Sequence, residues 1–536
     1  MNIVLRLIKR HYSGNELKRS DAQIERERTY FCGVPFNRWS LFPAAVLTQF
    51  CCGSLYAWSV FNKPIDTIIN GDPNADKAPI TFYIAVGCFG LSSAIMGPWL
   101  ERNGPRMGVL LGSTLFFLGN LLAALAIHVK HMWLVYVGYG LVAGFGLGLS
   151  YISPVSALQK WFPDHRGMAS GFAVCGFGAG SIAIAKIPGP LSKAAGLPLT
   201  FVILGACYFV CMVFSAYILR IPPPDYAVKG VNSEGEKADQ PVASAPVMKE
   251  QPSGAPAAGH YHAVDINEPK PSEPPTRIKL TLIESLTSRE FLILYVVFFA
   301  NSVFGLVAIS RLNDMIVNYF GKDADTASTI VSINGGVNLF GRLAFATVSD
   351  VFTRKICYVI MLSLQVIGLI LLPIFTTHQV YPAFLVVIFI ITACYGGGFG
   401  VIPAFLTDMF GSKNIGACHG VILTAWAIAG VAGGLIFTRV YQDQLISHGG
   451  THTVNDPYST NINVYWILAI CIVGWIFILF SRTTVRDRLF PEAKGEIMRI
   501  RLFGRILRVS KSQGIQYLSK AEEDRIWREY WASKSS

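Results

Sequence analysis

Charged side chains are what this chain most lacks. They make up 15% of its 536 residues, against about 25% in ordinary soluble domains, while 52% of the residues are hydrophobic. That balance excludes a soluble globular protein, a disordered chain and a collagen-like repeat. Other absences narrow the choice. The 11 cysteines contain no C-x-x-C pair. Most of them, such as Cys51, Cys52, Cys175, Cys207, Cys211 and Cys394, sit inside apolar runs, so neither a disulfide framework nor a metal site is expected. No H-E-x-x-H, nucleophile elbow or nucleotide loop occurs, and His448 and His452 flank Gly-Gly-Thr without the glutamate of a zinc helix. An enzyme and a cofactor are therefore not expected. The N-terminal MNIVLRLIKRHY is basic and amphipathic but leads into polar sequence, unlike a cleaved signal. No N-x-S/T sequon occurs, so glycosylation marks no outer side.

What is present is a series of apolar runs long enough to cross a bilayer core, for which about 20 residues suffice. They fall near 40–61, 80–100, 107–127, 132–158, 167–187, 198–220, 290–310, 326–349, 356–375, 380–406, 415–438 and 463–481. Long continuous runs indicate helices, since a barrel would show short alternating strands. The expected fold is an all-α membrane protein with twelve transmembrane helices in two six-helix bundles. The bundles cover 39–221 and 290–481, with an N-terminal segment 1–38, a disordered linker 222–289 rich in Pro, Ala, Ser and charge, and a basic tail 482–536. In the tail, EIMRIRLFGRILRVSKSQG reads as a helix, either solvated or lying on the anionic inner leaflet.

The net charge of +12, from 45 Lys and Arg against 33 Asp and Glu, follows position. Arg6, Lys9, Arg10, Lys18, Arg19, Arg26, Arg28 and Arg38 precede the first run, and the linker and tail carry further Lys and Arg. The gaps 376–379 and 440–462 contain neither residue. The positive-inside bias therefore places both termini and the linker in the cytoplasm. The surplus reports topology, and no nucleic-acid partner is expected.

The two halves repeat at an offset of 249 residues. Gly167-Met-Ala-Ser-Gly171 falls on Gly416-Ala-Cys-His-Gly420, Gly148 on Gly397, Pro154 on Pro403, Glu101 on Asp350 and Arg106 on Lys355. Paired bundles of this kind suit alternating access about a midplane site. The segment GPWLERNGPR (97–106) resembles the loop 2–3 signature of the major facilitator superfamily, and ATVSDVFTRK (346–355) is a weaker copy. Glu101, Arg102, Arg106, Asp350, Arg354 and Lys355 are thus candidates for a gate on the cytoplasmic side, the acid pairing with an arginine or facing a helix N-terminus. Three further segments, CGSLYAWSVF (52–61), SPVSALQKWFPDHRGMASGFAVCGFGAGS (153–181) and GVILTAWAIAGVAGG (420–434), resemble the oxalate:formate antiporter family, which is related to the monocarboxylate transporters.

Arg342 is the sharpest single residue. It stands eight residues before Asp350, about 12 Å into a core about 30 Å thick. A charge at that depth marks a site by default, and a guanidinium binds a carboxylate bidentately. The resemblance implies the same: both families carry a substrate-binding arginine in the eighth helix, and Arg342 matches it. Where the oxalate transporter has a lysine in its eleventh helix, this chain has Trp426. One fixed cation favours one carboxylate, so a monocarboxylate is expected over oxalate. Phe177 is the repeat partner of Trp426 and the other half of a possible aromatic pair. Asn338 and Val60 stand where the monocarboxylate transporters have an acid and a lysine. Tyr56 and Trp58 in the first run, Tyr151 in the fourth and Tyr395 in the tenth could donate to a carboxylate. Lys186, about 13 Å beyond Phe177, either snorkels to the outer interface or attracts anions there.

No Asp or Glu lies near a run's midpoint, which leaves proton coupling through a buried carboxylate unsupported; His419 lies near the cytoplasmic end. Gly-rich stretches at 144–148, 176–180 and 396–400 lie in apolar helices and serve close helix packing rather than phosphate binding. The expected protein is a monomeric plasma-membrane transporter of a small organic anion. Carriage of another solute, or a non-transporting sensor with the same fold, is the alternative.

Overall fold

The computed structural model describes residues 3–13, 17–30, 33–73, 75, 77–234, 280–447, 458–502 and 505–535. His448, His452 and most of 222–289 lie outside the described residues. The chain divides into two compact units, Met1–Pro224 with Lys279–Ser481, and Asp225–Ile278 with Arg482–Ser536.

Among the described residues of the first unit, ten helices are long and apolar enough to cross a membrane. One of them, Ala78–His128, has 51 residues, roughly 75 Å at about 1.5 Å per residue and more than twice the thickness of a bilayer core. It is two spans, because Gly104 at φ 82° and ψ 164° breaks the helix ahead of Pro105. That backbone region is open to glycine and closed to residues with a Cβ. A further helix, Ala324–Val351, has the length but not the apolarity, since it carries Asn334, Asn338 and Arg342. The spans are therefore α1 (Arg38–Ala57), α2 (78–103), α3 (105–128), α4 (Met132–Trp161), α5 (Arg166–Lys186), α6 (Leu197–Ile218), α7 (Arg289–Phe320), α8 (Ala324–Val351), α9 (Arg354–Thr377), α10 (Tyr381–Phe410), α11 (Ile415–Ser447) and α12 (Tyr458–Leu479). Each coincides with one of the twelve apolar runs, and they form two six-helix bundles, α1–α6 and α7–α12.

Local chemistry sets the breaks. Asp323 and Thr353 cap α8 and α9, accepting from Thr326 N at 2.9 Å and Ile356 N at 3.3 Å. α1 tightens into a 3-10 turn over Gly53–Ala57. Gly53 is pressed against α5, where a Cβ would lie 2.1 Å from the Phe177 carbonyl oxygen. A mid-helix 3-10 stretch often marks a functional hinge, and this one carries Tyr56. The bundles meet along two seams, α2 with α11 and α5 with α8. At both seams small residues let backbones touch: a Cβ on Gly420 would lie 2.0 Å from Ser93 O, and one on Gly167 would lie 2.2 Å from Ala346 O.

Two expectations are corrected outside the bundles. The 222–289 stretch has structure at its ends, a two-stranded ribbon of Ala227–Val228 with Val231–Asn232 and a helix Leu282–Thr287 with a full capping box on Thr281 and Glu284. The tail is not a basic helix over 496–514. Glu496–Leu502, Arg505–Ser510 and Gly514–Tyr517, here β1, β2 and β3, form an antiparallel sheet followed by the helix Lys520–Ser535. The reason is the period: Met498, Ile500 and Leu502 alternate with Arg499 and Arg501, a repeat of two that suits a pleated strand rather than a helical face.

Within this second unit Phe490, Ile506 and Leu518 pack with Ile526 and Trp527. Arg501 binds Asp487 at 2.5 Å and Glu523 at 2.7 Å, all with side chains no more than 25% exposed. Arg501→Gln leaves two acids short of their partner. The expected loss is about 2 kcal/mol, between the values for exposed and buried pairs. Hydrogen exchange on the full-length protein should show the 496–517 amides exchanging about 30-fold faster; unchanged rates would show that the pairs do not hold the sheet.

Candidate functional site

Arg342 is 1% exposed. Its Nε donates to Asn338 Oδ1, one turn back on α8, at 3.0 Å. Its Nη1 reaches across to the other bundle and donates to the Val174 carbonyl of α5 at 3.2 Å. Neither bond uses Nη2. The guanidinium lies over two aromatic faces, Phe177 at 5.4 Å and Phe399 at 4.8 Å, which offset part of the cost of burying it. Among the described residues no carboxylate pairs with it.

The other candidates surround this charge. The Tyr56 and Tyr395 hydroxyls, one from each bundle, are 2.7 Å apart. Trp426 Nε1 donates to Tyr395 Oη at 3.1 Å, so a three-membered chain joins α11, α10 and α1. The Tyr56 ring meets Phe177 edge-on at 4.7 Å. Tyr151 of α4 stands 5.7 Å from Phe177, and its hydroxyl is buried without a hydrogen-bond partner. Both Tyr56 and Tyr151 are close enough to interact electrostatically with Arg342. Arg342, Asn338, Tyr56, Tyr151, Tyr395, Trp426 and Phe177 thus lie in one cluster, drawn from α1, α4 and α5 of one bundle and α8, α10 and α11 of the other.

Two residues complete it that the sequence reading passed over. Phe399 was absorbed into a glycine-rich packing stretch. Phe89 bridges Trp426 at 5.1 Å and Tyr151 at 5.3 Å. Trp58 is elsewhere, with its ring 4.2 Å from Tyr139 and its Nε1 donating to Ala78 O, inside the first bundle. Lys186 is exposed at the end of α5. His419 is fully buried, with neither ring nitrogen hydrogen-bonded, 5.9 Å from the Tyr151 ring.

The candidate gate residues occupy the face bearing the α2–α3 and α8–α9 junctions. Glu101 at the end of α2 accepts from Gly416 N, at the start of α11, at 2.6 Å. Its repeat partner Asp350, at the end of α8, accepts from Gly167 N and Met168 N, at the start of α5, at 2.8 Å each. Each acid caps a helix of the opposite bundle, where the exposed N–H groups and helix dipole favour an anion. Lys160 pairs with Glu101. Arg354 binds Asp350 at 2.7 Å and Asp408 at 3.0 Å, and Arg166 binds Asp408 at 3.1 Å. Lys160, Arg166 and Asp408 were not singled out from sequence, although the first two lie in the quoted 153–181 block. Arg106 and Lys355 face their own bundles, and Arg102 turns to the N-terminal helix Ile3–His11. They donate to carbonyls of His11 at 3.0 Å, of Tyr217 at 3.1 Å, and of Leu479 and Ser481 at 2.8 Å. Arg106 and Lys355 thereby satisfy the ends of α6 and α12.

The family model of the Major Facilitator Superfamily matches residues 45–434 and 294–533. The chain belongs to that superfamily. Among its relatives, the uncharacterized MFS-type transporter YhjX of Escherichia coli is 26% identical over 395 residues, covering 74% of this chain and 86% of that one. The oxalate:formate antiporter of Oxalobacter formigenes is 22% identical over 414 residues, covering 75% and 84%. Apicoplast pyruvate carrier 1 of Toxoplasma gondii is 24% identical over 376 residues, covering 63% and 65%. Among solved structures, the proton:xylose symporter XylE superposes with a TM-score of 0.58 at 14% identity, covering 83% of this chain and 96% of that one. A bacterial homologue of ferroportin in an outward-facing state gives 0.56 at 15%, covering 82% and 98%. The fold is the major facilitator fold, and the protein is an integral membrane transporter of this superfamily.

The latch yields a test. Removing both acid charges with Glu101→Gln and Asp350→Asn deletes charge-assisted bonds that contribute about 1.5–3 kcal/mol apiece. Cys418, 1% exposed and two residues beyond Gly416, should then react with an impermeant maleimide from the junction face about tenfold faster or more. Equal labelling in the double variant and the wild type would show that these bonds do not hold that face shut.

Proposed function

We propose that this superfamily member carries a small organic anion with one carboxylate, by alternating access, with Arg342 as its anchor. One observation carries the reading: a fully buried guanidinium to which no described carboxylate is paired. An unpaired charge in a low-dielectric interior is costly. A substrate carboxylate at the guanidinium would neutralise it and form charge-assisted hydrogen bonds. The Tyr56 and Tyr151 hydroxyls lie near enough to add donors, while Phe89, Phe177, Phe399 and Trp426 offer an apolar wall to the rest of the molecule. A second carboxylate would meet that wall without a cation. The oxalate:formate antiporter and the pyruvate carrier among the relatives support an organic anion as cargo.

Glu101, Asp350 and the arginines and lysine around them then form the latch of one face. The basic N-terminal segment and tail argue that this face is cytoplasmic and that both termini lie there; the plasma membrane is the proposed location. The described residues bring no Asp or Glu to the Arg342 cluster, which favours exchange or uniport over a carboxylate-mediated proton coupling.

Purified protein in proteoliposomes tests this with a panel of labelled mono- and dicarboxylates and neutral solutes. Arg342→Ala should abolish uptake of the preferred monocarboxylate at unchanged protein level. Arg342→Lys should lower apparent affinity about 10- to 100-fold, as a point charge replaces a fork. Full uptake by Arg342→Ala, or a neutral solute as the preferred cargo, would overturn the assignment. Acceleration by substrate trapped inside would identify exchange.

A further inference from the structure

The sheet of the second unit has reversed polarity. Its register pairs Met498 with Val509, Ile500 with Leu507, Leu507 with Tyr517 and Val509 with Ile515. Directly opposed residues share a face, so Met498, Ile500, Leu507, Val509, Ile515 and Tyr517 form one apolar face. The opposite face carries Arg499 and Arg508, opposed to each other and 3% and 5% exposed. Both bind Glu496, at 3.4 and 3.1 Å, and both lie 5.5 Å from the Phe490 ring. Arg499 and Arg508 thus point into the unit's core beside Ile506, while Met498, Ile500, Leu507, Val509 and Ile515 point out. Ile515 is 75% exposed, Tyr517 48%, and Ile497, at the bulge beginning β1, 64%. A sheet in water normally does the opposite, with polar residues outward. An outward apolar face of this extent marks a contact surface.

We propose that this face rests on the anionic headgroup surface of the bilayer. Three observations select a lipid surface as the occupant. The tail part of the unit begins at Arg482, directly after Ser481, and α12 ends at Leu479, so 16 residues link the end of a membrane span to the sheet that begins at Glu496. Exposed cations stand at both ends of the apolar face. Arg505 is at one end, its guanidinium 5.6 Å from the Tyr517 ring; Lys494 and Lys511 are at the other, where Lys511 N donates to Gly495 O. Apolar area flanked by Lys and Arg is the composition that binds anionic interfaces, and an exposed tyrosine suits the headgroup level. The inward arginines also have a reason here, since a face turned to lipid leaves them to be neutralised inside by Glu496, Asp487 and Glu523.

The test uses the full-length protein in nanodiscs of phosphatidylcholine, alone or with about 30% phosphatidylserine. A photoreactive benzoylphenylalanine replaces Ile515, whose exposure tolerates it, or Gln516, on the other face. Illumination should attach phospholipid at 515 several-fold more with phosphatidylserine present, and little at 516. Arg505→Glu with Lys511→Glu should return the 515 yield to its level in phosphatidylcholine. Adducts of 515 to protein, whether this chain, a second copy or another partner, would overturn the proposal. So would equal lipid attachment at 515 and 516, or a yield indifferent to lipid charge.

Discussion

The seam between the bundles depends on the charge of Arg342, which no described acid compensates. Arg342 sits in the seam between two bundles with its Nε and Nη1 tied to Asn338 and Val174. Holding an ion there is unfavourable by several kcal/mol unless the surroundings answer it. They answer it in a limited way. Two aromatic faces and neighbouring hydroxyls interact with the cation, but none of them carries a full negative charge. The site is left electrostatically incomplete, which is what a binding site for an anion requires. A fixed carboxylate in place of Asn338 would complete the pair within the protein and remove that driving force. The same incompleteness gives the latch a purpose. Water at Arg342 would screen the charge, so selectivity depends on the seams closing backbone to backbone, as they do at Gly167 and Gly420.

The internal duplication was used differently at the two levels of the molecule. At the junction face the copies remain equivalent. Glu101 caps α11 as Asp350 caps α5, and the glycines that receive them, Gly416 and Gly167, are also repeat partners. A latch that must open and shut by rocking two bundles has reason to be symmetric, because both seams have to break together. At the midplane the copies have diverged. The position equivalent to Arg342 is Ser93, which donates to Gly148 O, and the position equivalent to Asn338 is Phe89, part of the aromatic wall. A small asymmetric cargo needs a charge on one side and an apolar surface on the other. Divergence at these two positions supplies both.

Much of this was legible because membrane solvation forces the sequence to declare itself. Apolar runs, the buried arginine and the repeat each follow from the cost of polar groups in lipid. Tyr56, Tyr151, Tyr395 and Trp426 could be nominated because polar aromatics are few enough to inspect one by one. Phe399 and Phe89 could not, since a phenylalanine in an apolar helix carries no mark of the face it shows. Lys160, Arg166 and Asp408 were hidden for a related reason: a charge at a helix end is expected anyway, and only the partner's position tells a latch from a solvated terminus. Arg102 shows the converse. It lies in the signature segment, yet its bond goes to His11 of the N-terminal helix.

The tail misled because its basic and aliphatic residues read as helical spacing, whereas they alternate as in a strand. In water an arginine beside an isoleucine implies that the isoleucine is inside. In 496–502 the order is inverted: Arg499 is buried against Glu496, and the part-buried Arg501 pairs with Asp487 and Glu523. The positive surplus of the chain therefore has three distinct uses. Some cations lie outside the bundles and bias topology, some are neutralised inside the tail as structure, and one stands in the bundle seam with no described acid beside it. On the proposed reading, the single charge of Arg342 sets the cargo's charge at one, because a second carboxylate held against Phe399 or Trp426 would lose its hydration without gaining a cation.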